Sequence, residues 1–531
     1  MRRLTIVAIV VAACGGPASP EITTTVAQPV TTLPSPSTTS TARATTTTTT
    51  TIPLPRFDPK GATILEMQQA MSDGTLTALE LVDFHLERIA AYDDAGPTLN
   101  AFVTINPDAR AQAMLLDQER VASGPRGPLH GIPVVLKDNI NTQDMPTTAG
   151  SAALEGFIPS DDAFQAARLR AAGAIILGKV NMQEWARSVH TNSSVIGRTL
   201  SPYEIDRNVG GSSGGTGVAV TAEMAAAGLG SDTCGSIRIP SAYNSLFGLR
   251  PTIGLSSRAG VIPLSTSEDT VGPMARSVVD LAIVLDATAG PDPDDPTTAD
   301  AVTPGSYLDF IDPDGLAGAR IGVMDSLFGS PGPVSTATRA ALARMEDAGA
   351  TIVHVEIPNR TGILGNATSV FLREWAFATE DYFAAHPDAP ISSLDDVLAS
   401  GEYLSETRQQ LQRAVGVTTL DTADYRNAVE ARASAAAAVT ALLEEHDLDA
   451  LAYPSIQNTA AANGVQQQGN NCATASVAGL PAISVPAGLD STGMPVGLDL
   501  LGRAFDEGTL IRLASGYETA VDPRVEPPLT P

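Results

Sequence analysis

The sequence predicts a single large α/β domain, running from residue 58 to the C-terminus at residue 531. Three observations carry that prediction. Short apolar runs rich in β-branched residues recur along the chain, each flanked by glycine and polar turns. Helix-patterned segments separate them, and no internal repeat or second linker interrupts the series. Such alternation is the signature of helices packed on a sheet. At 43% hydrophobic residues the chain has enough apolar material for a large core.

The elements follow in order. Thr77-Ala78-Leu79-Glu80 is a capping-box pattern, and Leu79, Val82, Leu86 and Ile89 then recur at helical spacing, so a helix starts there. "GIPVVLKDNI" (131–140) and "GAIILGKVN" (173–181) read as strands, with a helix in "DDAFQAARLRAAG" between them. "ARIGVMD" (319–325), "TIVHVEI" (351–357), "LDALAYPS" (448–455) and "PAISVPAG" (481–488) continue the strand series. Segments 405–416 and 422–446 are the intervening helices.

Ahead of this domain the composition changes twice. Arg2 and Arg3 precede a run from Leu4 to Ala13 that is apolar apart from Thr5. A bilayer span needs about 20 residues, so this run suits the core of a signal peptide, residues 1–13. It closes on Val11-Ala12-Ala13-Cys14, which resembles a bacterial lipobox and makes Cys14 the expected lipidated residue; an ordinary signal peptide is the alternative. Residues 14–57 are then dominated by Thr, Pro, Ser and Ala, with "TTTTTTT" at 45–51. That composition cannot bury a core and reads as a disordered tether. A lipid anchor with a spacer implies an extracytoplasmic, membrane-anchored domain.

Charge and cysteine content narrow the partners. With 32 basic against 59 acidic residues the net charge is −27, a field that repels phosphate backbones, so nucleic acid is not an expected partner. Lysine occurs only at 60, 137 and 179. With Cys14 set aside, Cys234 and Cys472 form no disulfide framework and lack metal-site spacing. A single bridge between them is left open by export but is not expected.

Three stretches bear chemistry. In "GIPVVLKDNINTQDMPTTAGS", Lys137 ends an apolar strand run, where a charge is costly unless paired or neutralised; a lysine snorkelling from an edge strand is the plain alternative. "NVGGSSGGTGVAV" (208–220) runs into an apolar helical segment, unlike a flexible linker. It lacks the lysine of a phosphate loop, and Val220 occupies the third glycine position of a dinucleotide fingerprint. What remains is a loop of unusual backbone around two serines. "SDTCGSIRIP" (231–240) sets small residues before Ser236, which lets backbone N–H groups converge as an oxyanion hole requires. None of the histidines at 85, 130, 190, 354, 386 and 446 sits in a recognisable nucleophile-elbow context. A lysine can serve a nucleophilic serine instead, provided burial or a nearby positive charge lowers its pKa from about 10.4. Lys137 is the lysine placed for that.

Lys137, the pair beginning at Ser212, and Ser236 occur in the order of the amidase signature family, which this chain resembles. "PLHGIPVVLKDNINTQDMPTTAGS", "GAIILGKVNMQEWA", "GSDTCGSIRIPSAYNSLFGLRPT", "GPMARSVVDLA" and the C-terminal "AGLPAISVPAG" and "GMPVGLDLLGRAFDEGTLIRLA" extend the resemblance over most of residues 60–520. It implies a central mixed β-sheet covered by helices on both faces and an amide-hydrolysing Ser-cisSer-Lys site. Ser236 would be the nucleophile, with Ser212 bridging it to the base Lys137 across a cis Gly211–Ser212 bond. Backbone N–H groups of Thr233, Cys234, Gly235 and Ser236 would form the oxyanion hole. Gly211, Ser213, Asp232 and Arg238 would support the loops. Cys234 stands where many family members have a smaller residue, and its thiol would narrow the pocket or make the site thiol-sensitive. The resemblance implies no metal or other cofactor, a small-molecule or peptide amide substrate, and no obligate protein partner. Bacterial peptide amidases and general amidases are the nearest kinds. The alternatives are a component of the amidotransferase that amidates misacylated tRNA, an esterase, and a non-catalytic surface lipoprotein. Anionic charge and the export signal weigh against the first, and retention of all three site residues against the last.

Overall fold

The computed structural model describes residues 56–367 and 370–531. The expected leader 1–13, Cys14 and all of the expected tether except Arg56 and Phe57 lie outside the described residues.

The strands are β1 (Phe102–Ile105), β2 (Pro133–Lys137), β3 (Ile175–Val180), β4 (Asn192–Ser193), β5 (Gly197–Arg198), β6 (Ala227–Asp232), β7 (Phe247–Arg250), β8 (Thr270–Ala275), β9 (Arg320–Val323), β10 (Thr351–His354), β11 (Ala450–Pro454), β12 (Ala482–Leu489) and β13 (Pro495–Leu501). Eleven of them form one sheet in the order β1-β3-β2-β6-β8-β7-β12-β13-β11-β9-β10, while β4 and β5 pair separately. The sheet is mixed. β2 runs parallel to both β3 and β6, and β9 runs parallel to β10 and β11. The pairs β6–β8, β7–β8, β7–β12 and β12–β13 are antiparallel. Burial along β2, β3, β6 and β8 is complete, as expected of strands covered on both faces.

Every strand named from the sequence is present. β1, β4, β5, β7 and β13 are not among those named, nor are β6 and β8, which composition conceals because their sequences are AGLGSD and TVGPMA. The glycines of β6 answer a packing demand: a Cβ on Gly228 would stand 2.7 Å from Thr216 Cγ2, and one on Gly230 would stand 2.8 Å from Ser213 Oγ. The helix Gly214–Thr221 and the loop before it therefore lie directly on this strand.

The capping box predicted at Thr77 and Glu80 is present and starts a helix over Ala78–Tyr92. Its buried face differs from the one expected. Leu81, Val82, His85, Arg88 and Ile89 are buried, whereas Leu79 and Leu86 are half-buried. Two polar groups take core positions because each finds a backbone carbonyl: His85 Nδ1 lies 2.9 Å from Glu223 O, and Arg88 Nε donates to Ala222 O at 2.9 Å.

Candidate active site

Parallel pairing of β2 with β6 brings the C-terminal ends of both strands together. Lys137, the last residue of β2, is fully buried rather than snorkelling. Its Nζ lies 2.7 Å from Ser212 Oγ, 2.8 Å from Ser231 Oγ and 3.2 Å from Ser231 O. Nothing in the sequence singles out Ser231. It also accepts a hydrogen bond from Asn139 Nδ2 at 3.1 Å. Burial pushes the Lys137 pKa down to about 7, against the upward pull of Asp269 and Asp232. Lys179 is equally buried but faces elsewhere: its Nζ is 2.6 Å from Thr147 Oγ1 and 3.5 Å from Asp138 Oδ1.

The glycine-rich loop holds the two serines where the chain has no spare room. A Cβ on Gly211 would stand 1.7 Å from His190 O, and one on Gly215 would stand 2.2 Å from Asn181 O. The Gly211–Ser212 peptide bond is cis. Ser213 ties the loop to both neighbours. Its N–H donates to Ser236 O at 3.2 Å, its Oγ donates to Ser231 O at 3.2 Å, and it accepts from Ser231 N at 3.3 Å.

After β6 the chain turns through Gly235, whose φ of +89° is a conformation that favours glycine. Asp232 fixes this turn. Its carboxylate accepts from Gly235 N at 2.7 Å and from Ile237 N at 3.1 Å, and it pairs with Arg238 at 3.3 Å and Arg250 at 2.9 Å. Burial raises its pKa, but the two guanidinium groups and the two N–H donors outweigh this and hold it well below the usual carboxylate range. Arg238 continues the network to Asp499 at 2.8 Å and to Ser476 Oγ at 3.0 Å.

Two expectations change here. The Gly235 N–H is spent on Asp232, so Gly235 leaves the set of oxyanion donors. The N–H groups of Thr233, Cys234 and Ser236 have no acceptor among the described residues. Nor is Cys234 a free thiol: it is bonded to Cys472, with Cα atoms 5.0 Å apart. No local pattern announces this bridge, because the two cysteines are 238 residues apart in an otherwise cysteine-poor domain. It pins the loop that carries Ser236 to the start of the helix Ala473–Ser476. Removing such a bridge from this site is expected to cost about 2–5 kcal/mol of stability and to lower kcat by loosening the Cys234 N–H. Thermal unfolding and turnover of Cys234→Ser/Cys472→Ser check this; an unchanged Tm and kcat would show the bridge to be idle.

Ser236, Thr233 and Cys234 open into a cavity of about 200 Å³ that is also lined by Ala186, Arg187, Val189 and Phe371. A buried lysine on a serine, beside a second serine facing a cavity, is an arrangement for nucleophilic attack on a carbonyl.

The family model described as Amidase matches residues 80–511. A probable amidase of Arabidopsis thaliana is 34% identical over 489 residues, covering 87% of this chain and 91% of the relative. A glutamyl-tRNA(Gln) amidotransferase component of Roseiflexus sp. (strain RS-1) is 35% identical, covering 87% and 96%. Among solved structures, the native peptide amidase of Stenotrophomonas maltophilia superposes with a TM-score of 0.82 at 39% identity, covering 89% of this chain and 99% of its own. The chain belongs to the amidase signature family and is an amidase, a hydrolase of carbon–nitrogen bonds.

Proposed function

We propose that the chain is an exported serine amidohydrolase that cleaves linear carboxamides, C-terminal peptide amides among them, through an acyl-enzyme on Ser236. The observation that carries this reading is the 2.7 Å contact between buried Lys137 and Ser212. A neutral lysine amine has two N–H donors and one lone pair. The donors go to Ser231 O and Oγ, which leaves the lone pair for the Ser212 hydroxyl.

The proposed proton path builds on that assignment and requires Ser236 Oγ to turn onto Ser212 Oγ, since Ser236 Oγ makes no hydrogen bond to the described residues. Ser236 Oγ forms a bond to the amide carbon as its proton passes to Ser212 Oγ and the Ser212 proton passes to Lys137. The oxyanion is held by the N–H groups of Thr233, Cys234 and Ser236. The same relay run in reverse delivers the proton to the departing nitrogen, the C–N bond breaks, and an ester on Ser236 remains. Water then attacks that ester, giving its proton to the relay, and the acid leaves with Ser236 restored.

Likeness to the peptide amidase, with a TM-score of 0.82, exceeds likeness to the Thermotoga maritima glutamyl-tRNA(Gln) amidotransferase component, at 0.70. That favours hydrolysis over amide transfer within an assembly. The disulfide supports an oxidising, extracytoplasmic location, since such bonds rarely persist in the cytosol. A signal peptide over 1–13, a lipid on Cys14 and a tether over 14–57 complete the reading; metabolic labelling with a lipid precursor should mark Cys14, and secretion without label would replace the anchor with simple export.

The test is a pH profile of kcat/KM on simple amides and amidated peptides. Lys137 must be neutral to act, so activity should rise with pH through about 7, where burial sets its pKa. Lys137→Ala should lose most activity together with that acid limb. An intact limb in the variant would assign the base to another group.

A further inference from the structure

Arg187 is half-buried and differs from the interior arginines in what its Nη atoms reach. Buried Arg88 and Arg276 donate to backbone carbonyls, and Arg238, Arg250, Arg258 and Arg432 each pair with a carboxylate. Arg187 pairs with none among the described residues: its Nε donates to Gln410 Oε1 at 3.0 Å, and its Nη atoms find no acceptor among those residues. Its guanidinium carbon lies 4.8 Å from the Phe371 ring centre and 5.4 Å from that of Trp375. Those rings supply cation–π attraction but no hydrogen bonds. Burial lowers the Arg187 pKa only to about 10, so the side chain remains a cation at neutral pH.

The backbone delivers this cation to the catalytic cavity. Trp185 and Ala186 both adopt left-handed conformations, with φ of 55° and 57°. Such a conformation is disfavoured for a non-glycine residue and is unusual for a bulky side chain. The turn places Arg187 in the wall of the cavity of about 200 Å³ that holds Ser236, and in that of a neighbouring cavity of about 330 Å³. Glu406 and Arg198 share the second cavity and offset one another in charge. In a primary amide the leaving group is ammonia, so any substrate group that reaches Arg187 belongs to the acyl portion.

We propose that Arg187 is the carboxylate-recognising residue of the acyl subsite, and that the preferred substrates are carboxamides whose acyl portion carries a carboxylate, such as peptide amides ending in an acidic residue. The inference rests on the amidohydrolase reading above and adds the substrate's charge to it. A guanidinium with both Nη atoms open matches a carboxylate in two parallel hydrogen bonds, the geometry in which arginine binds anions best.

The experiment compares kcat/KM for acetyl-Glu-NH2, acetyl-norleucine-NH2 and acetyl-Lys-NH2 with wild type, Arg187→Gln and Arg187→Lys. Thermal unfolding establishes that each variant is folded. Wild type should favour the Glu amide over the norleucine amide by on the order of tenfold or more, with the Lys amide poorest. In Arg187→Gln the Glu-to-norleucine ratio should fall to about one, chiefly through KM, and Arg187→Lys should restore part of it. Equal turnover of Glu and norleucine amides by wild type, or a ratio unchanged in Arg187→Gln, would overturn the proposal and leave Arg187 as packing under Phe371 and Trp375. Failure of wild type to hydrolyse any of the three would instead overturn the hydrolase reading beneath it.

Discussion

Replacing Ser236 with alanine is expected to lower kcat/KM by on the order of 10⁴-fold or more while leaving the protein as stable as wild type. The two halves of that result have separate causes. Ser236 Oγ makes no hydrogen bond to the described residues, and the side chain faces the cavity, so the fold loses nothing when it goes. Its carbonyl still accepts from Ser213 N, and its own N–H has no acceptor among the described residues to lose. Under the proposed mechanism, catalysis loses the atom that forms the bond. If Ser236, Ser212 and Lys137 act as the one relay proposed, Ser236→Ala/Lys137→Ala should fall little further than Ser236→Ala alone. Steady-state kinetics on the three proteins, with unfolding curves alongside, check both statements. Substantial turnover by Ser236→Ala would remove the assigned nucleophile.

Asp232→Ala is expected to produce the opposite pattern, with stability and activity lost together. The carboxylate sits between Arg238 and Arg250, and all three side chains are buried. Deleting it leaves buried Arg250 without an ion-pair partner and Arg238 with Asp499 alone, and it frees the N–H groups of Gly235 and Ile237 that shape the turn around Ser236. Breaking a buried charge network in this way costs about 3–5 kcal/mol. The pH dependence has a definite sign. A carboxyl held below its unfolded pKa contributes stability that is fully present above about pH 4 and is lost as pH falls through the folded value. The stability gap between wild type and Asp232→Asn should therefore be flat from pH 7 to 5 and narrow only in stronger acid. Urea unfolding across that range measures it; a gap that closes near neutral pH would place the stabilisation elsewhere.

The contrast between these two residues shows what can be read from the chain alone. Lys137, Ser212 and Ser236 are legible because each lies in a stretch whose composition is hard to explain otherwise, and because their order matches a known family. Ser231 sits inside one of those stretches yet gives no sign of its part, since only the parallel pairing of β2 with β6 brings it to the lysine. The Cys234–Cys472 bridge and the Arg238–Asp499 pair join positions more than two hundred residues apart, beyond the reach of any local pattern. Strands β6 and β8 are hidden by glycine and proline, which local propensity counts against a strand. Tertiary contact overrides that preference where the helix Gly214–Thr221 presses on β6. Arg187 escapes notice for a related reason: nothing in "NMQEWARSVH" marks which arginine will line the cavity with its Nη atoms open.

The central claim is that Ser236 carries the acyl group, and the direct measurement is the mass of a trapped intermediate. Wild-type protein mixed with a slowly deacylating ester, quenched in acid and digested, should show the acyl mass on the peptide containing Ser236. Ser236→Ala treated in the same way should show none. An adduct on another residue, or equal labelling of the variant, would contradict the account.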